Sequence, residues 1–102
     1  MKERNVIRNK IIEYYTPIVK ENKQINIIYC YNKSHDCFCV LYKGNGCPIS
    51  NDTKNILIDI ERNLISELGD DAPLFFYEEH PRFKISKKAR KLNYDNIQTE
   101  NL

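Results

Sequence analysis

Apolar positions recur at helical spacing between Asn51 and Gly69. Ile56, Leu57, Ile60, Leu64 and Leu68 form one stripe of a helical wheel, and Ile58 and Ile65 widen it. Ser50, Asn51 and Asp52 supply N-cap oxygens, and Gly69 stands where a left-handed terminating residue is wanted. So wide an arc predicts a helix covered on two sides. A second helical pattern spans residues 2–23, with Ile7, Ile11, Tyr14, Tyr15 and Ile18 on one face. Lys10, Glu13, Lys20 and Glu21 lie mostly opposite. Pro17 removes a backbone donor and disfavours helical geometry at Thr16, which predicts one kinked element.

The pattern changes between these helices. Ile25–Asn32 (INIIYCYN) and Cys37–Lys43 (CFCVLYK) are rich in β-branched and aromatic residues and read as strands. The short polar link Lys33–Asp36 predicts an antiparallel hairpin, with Cys30 opposite Cys39 and Tyr31 opposite Phe38. Pro73–Glu79 (PLFFYEE) reads as a third strand, and Arg82–Ile85 as a short fourth or an extension past His80-Pro81. Ser86–Leu92 (SKKARKL) reads as a terminal helical turn or two capped by Ser86, and residues 93–102 as a polar, frayed tail. The expected fold is a single α+β domain over residues 1–92 in the order α-β-β-α-β(-β). Its three- to four-stranded sheet is mainly antiparallel, with two helices packed on one face. Two placements of the third strand stay open. Beside the second strand it runs parallel through a right-handed crossover, and beside the first it makes the sheet fully antiparallel.

Composition narrows the class without naming a function. The chain has 102 residues, enough for one domain, with 41% hydrophobic and 29% charged positions, which is globular rather than disordered. No apolar run approaches the roughly 18 residues of a membrane span, so no membrane partner is expected. The opening MKERNVIRNK carries charge where a signal peptide needs an apolar stretch, so a cytoplasmic location and reduced thiols for the four cysteines are expected.

Charge is unevenly spread under a net +2. From Asn51 to Glu79 eight acids face only Lys54 and Arg62, whereas His80–Lys91 carries six bases and no acid. Arg82, Lys84, Lys87, Lys88, Arg90 and Lys91, interleaved with Phe83, Ile85 and Leu92, suit the neutralisation of phosphates. The same block also suits pairing with the acids of its own domain. No helix-turn-helix, RNA-binding aromatic consensus or zinc-finger spacing accompanies it.

Other chemistry-bearing residues are sparser. Cys30, His35, Cys37 and Cys39 are zinc-type ligands, but their spacing lacks the paired C-x2-C knuckle, and no metal or cofactor is expected. Cys47-Pro48-Ile49-Ser50, between a strand and a helix, resembles the C-x-x-S variant of the thioredoxin-type redox motif over those four residues. The resemblance implies a reactive thiol at Cys47. Gly44-x-Gly46 reads as a turn, since neither a third glycine nor a Gly-Lys-Ser/Thr follows. Glu78, Glu79 and His80 have residue types for acid–base work, and a charged edge strand uses the same letters.

The expectation drawn from all this is a small non-enzymatic binding or regulatory protein. It would meet a protein partner, or a second copy of itself, through strand aromatics Tyr29, Tyr31, Phe38, Tyr42 and Tyr77. The alternative is a nucleic-acid-binding accessory protein using residues 82–91. A thiol redox or metal-binding protein is the lesser alternative.

Overall fold

Both helical patterns fold where the periodicity places them. The computed structural model describes residues 3–77 and 87–96. Helix α1 (Arg4–Glu21) is followed by strands β1 (Ile25–Asn32) and β2 (Cys37–Gly44), then by helix α2 (Asn51–Leu68). A single 3-10 turn (Gly69–Asp71) leads to β3 (Leu74–Tyr77), and β4 (Arg90–Leu92) completes the described elements.

Local chemistry sets the ends of α2. The Ser50 hydroxyl accepts the Thr53 amide at 3.2 Å. Gly69 adopts φ +58° and donates its N–H to the Ile65 carbonyl, a conformation that costs a non-glycine residue. Only Leu57, Ile60, Leu64 and Leu68 are buried, whereas Ile56, Ile58 and Ile65 are 46, 38 and 50% exposed. The expected cover on two sides is therefore not found along either flank, and burial keeps to the stripe that joins the core cluster. α1 runs through Pro17 as one helix, burying Ile7, Ile11, Tyr15, Ile18 and Val19. Next to the proline, the Thr16 hydroxyl donates to the Ile12 carbonyl at 2.6 Å.

The sheet order is β3-β2-β1-β4. β1 and β2 pair antiparallel with Cys30 opposite Cys39 and Tyr31 opposite Phe38, the register that the short link requires. Their turn is held by Asn32, whose Oδ1 accepts the amides of Ser34 and His35, and by Asp36 at φ +50°, a conformation Asp tolerates. β3 lies parallel to β2, so the sheet is mixed, with two antiparallel pairs and one parallel. A parallel pair needs a crossover, and α2 supplies it by carrying the chain back along the sheet.

β4 corrects the expected helical turn over Ser86–Leu92. Arg90–Leu92 pairs antiparallel with β1 instead, setting Leu92 opposite Ile27 in the core at 4% exposure. The free edge of β1 offers backbone hydrogen bonds that an isolated turn of helix does not. Residues 93–96, expected to fray, are anchored. The Asn93 amide donates to the buried Asn26 side chain at 3.0 Å, and Asn96 bonds both Asn93 and the Lys91 carbonyl. The expected strand at 82–85, Glu78, Glu79, His80 and the remainder of the tail lie outside the described residues.

One core cluster joins both helices to Ile25, Ile27, Tyr29, Phe38, Val40 and Tyr42, all on one side of the pleat, and to Leu92. Ile28, Cys30, Cys39 and Leu41 alternate with these, and are buried outside that cluster.

Candidate functional site

Pairing of β4 with β1 brings residues 87–90 beside α1. A groove of about 790 Å³ lies there, within the range of small-ligand sites. Arg4 and Arg8 reach it from α1, Lys33 from the hairpin turn, and Lys87, Lys88 and Arg90 from the approach to β4. Tyr29, Tyr31 and Phe38 supply its aromatic lining. Two smaller hollows of about 550 and 520 Å³ adjoin it and share Arg90, with Lys91 in both and Lys43 in the second. Among the described residues, no Asp or Glu lines any of the three.

Ion pairing is sparse at this groove among the described residues. Among the described residues, Arg4, Arg8, Lys33, Lys87 and Arg90 form no ion pair; Arg8 reaches only the neutral Asn5 side chain, at 3.4 Å. Lys10, two residues beyond Arg8 and bonded towards α2, behaves differently. It binds Glu67 at 2.8 Å and Glu13 at 3.3 Å, and these bonds, Glu67 foremost, raise its ammonium pKa. Glu67 of α2 thus engages α1, while no acid of α2 pairs with Lys87, Arg90 or Lys91 among the described residues. β4 forms one edge of the sheet and β3, which follows α2, the other. Arg90 and Lys91 of the basic block accordingly stand at the sheet edge opposite β3.

Three contacts hold Tyr31 in the groove. Its ring lies under the Arg4 guanidinium at 3.8 Å and meets Phe38 edge-on at 5.6 Å. Its hydroxyl donates to the Asp36 carboxylate at the rim of the turn. The ring is half-buried and presents π surface beside a row of cations.

A second polar cluster sits inside the core. The hydroxyls of Tyr15 and Tyr42, each 0% exposed, are 2.5 Å apart. Burial drives both phenol pKa values far above the usual range, so both stay protonated. The half-buried Glu61 carboxylate faces this pair, and Tyr77 donates to it at 3.4 Å. Desolvation raises the Glu61 pKa, and the Tyr42 and Tyr77 hydroxyls pull it partly back. The cluster holds no cation or nucleophile, and its geometry braces α1, α2, β2 and β3 together.

The residues singled out in the sequence fall unevenly on this map. Lys87, Lys88 and Arg90 line the groove and Lys91 the adjoining hollows, while Arg82 and Lys84 lie outside the described residues. Of the aromatic set, Tyr29, Phe38 and Tyr42 are 4, 2 and 0% exposed and belong to the core, Tyr31 is half-buried, and Tyr77 is 38% exposed. Cys47 is a half-buried free thiol in the loop before α2, whose first turn is capped by Ser50. Burial pushes the Cys39 thiol up to about 11 and raises that of Cys37, which disfavours the thiolate that metal binding and redox exchange use. Among the described residues, no group of three or more His, Cys, Asp or Glu comes together as a metal site. Gly46 takes φ +84° in the loop after β2.

Arg4, Arg8 and Lys33 are groove residues that the sequence pattern did not single out. Their only signal was the density of charge in MKERNVIRNK and the lysine of the hairpin link, neither of which locates a groove. Comparison with protein-family models, curated proteins and solved structures finds no match at any of the three levels. No helix among the described residues is long and apolar enough to cross a membrane.

Proposed function

We propose that this protein binds the phosphate backbone of a nucleic acid in the groove between α1, the hairpin turn and β4. The observation that carries this reading is the convergence of six cations from three separate parts of the chain, with no carboxylate among the described residues that line the groove. Cations gathered this closely repel one another, whereas phosphates would neutralise them and release counterions. Lys33→Glu with Arg90→Glu tests the reading in a fluorescence-anisotropy titration with labelled DNA and RNA at low salt. Binding should fall by at least about tenfold, while Lys54→Glu on exposed α2 leaves it within about twofold. Equal losses from the two variants, or no binding by the wild type, would refute it.

Self-association is the second reading, favoured by the apolar flank that Ile58 and Ile65 expose two turns apart on α2. Light scattering across a concentration series checks it. An oligomer dispersed by Ile58→Asp with Ile65→Asp supports this reading, and a wild-type monomer at high concentration removes it. The two surfaces share no residue, so either test stands without the other.

A further inference from the structure

Resting on the backbone-binding reading, we infer that the groove takes a single strand and that one unpaired base stacks against the Arg4–Tyr31 pair. Cations alone do not distinguish a duplex from a single strand, because both present phosphates. The aromatic content of this groove does. Tyr31 stands among the cations with its ring already serving as a stacking surface for a planar group, the Arg4 guanidinium at 3.8 Å. Bases stack on the same two surfaces, aromatic rings and guanidinium planes, when they are splayed out of a helix. A duplex keeps its bases inside its own stack and leaves such a surface unused.

The ring is also fixed in advance. Phe38 packs edge-on against it from the facing strand, and the Asp36 carboxylate holds its hydroxyl at the far end. A side chain so restrained loses little conformational freedom when a base arrives. Asp36 contributes in another way, since its negative charge at the rim opposes a phosphate there. The flanking phosphates are then directed towards Arg8, Lys33, Lys87 and Arg90, which have no ion-pair partner among the described residues.

Three labelled probes of about 12 nucleotides test the inference by anisotropy at low salt: oligothymidine, an abasic strand of equal length, and a duplex. Oligothymidine should bind the wild type about five- to a hundredfold tighter than the abasic strand, which has the same backbone charge and no base to stack. Tyr31→Leu should bring the two strands together, and Tyr31→Phe, which keeps the ring, should preserve the difference. Equal binding of oligothymidine and the abasic strand by the wild type overturns the inference with no variant needed. Tightest binding of the duplex overturns it too, but leaves backbone binding standing. Failure of all three probes to bind overturns both.

Discussion

Backbone binding through this groove has a salt dependence that can be worked out in advance. Each phosphate neutralised on a single strand releases counterions, so log K falls against log salt with a slope of about −0.7 per contact. Five groove cations, Arg4, Arg8, Lys33, Lys87 and Arg90, have no ion-pair partner among the described residues. If all five reach phosphates, the slope is about −3.5, and affinity drops roughly a hundredfold between about 50 and 200 mM salt. Lys33→Gln with Arg90→Gln should flatten the slope by about 1.4, beyond the loss of affinity at any one salt concentration. Lys10 provides the internal comparison. It is also a lysine on α1, but its charge is spent on Glu67 and Glu13. Lys10→Gln should therefore leave the slope unchanged, even where it lowers stability. The assay is anisotropy with a labelled single strand at four or more salt concentrations, with each variant checked for its fold by circular dichroism. A wild-type slope shallower than about −1, or an equal change from Lys10→Gln, would show that net charge rather than this groove attracts the strand.

The remaining expectations concern the core and the helix ends. Tyr42→Phe should cost about 1–3 kcal/mol in urea unfolding, because it orphans the fully buried Tyr15 hydroxyl. Tyr15→Phe should cost less, since Tyr42 keeps Glu61 beside it; the reverse ranking would contradict the proposed geometry. Burial raises the Glu61 pKa in the folded state, so its contribution is fully present below the usual carboxylate range and is lost as pH rises through the raised value. Glu61→Gln should match the wild type in acid and exceed its stability at neutral pH, and a greater relative loss at neutral pH would refute this. Gly69→Ala should destabilise by about 1–2 kcal/mol through its positive φ alone, because an added Cβ meets nothing within 4 Å. A neutral melting shift would show that the helix end relaxes.

Local chemistry in the sequence determined the elements themselves. Ser50 and Gly69 bound α2, the polar link Lys33–Asp36 makes β1 and β2 a hairpin, and alternation puts Ile27, Tyr29, Val40 and Tyr42 on one face of the pleat. Each depends on neighbours a few residues apart, within reach of periodicity, capping and turn rules. Three decisions came only with the tertiary structure. β3 joined β2 rather than β1, because both strand edges were open and nothing in PLFFYEE prefers either. Arg90–Leu92 became a strand although SKKARKL reads as helix, because the edge of β1 and the pocket for Leu92 outweighed local propensity. The aromatic positions divided into core and surface by burial, which takes Tyr29, Phe38 and Tyr42 inside and leaves Tyr31 at the groove. The groove itself follows from the second decision. Its cations come from parts of the chain far apart in sequence, and only the pairing of β4 with β1 brings Lys87 and Arg90 to Arg4 and Arg8.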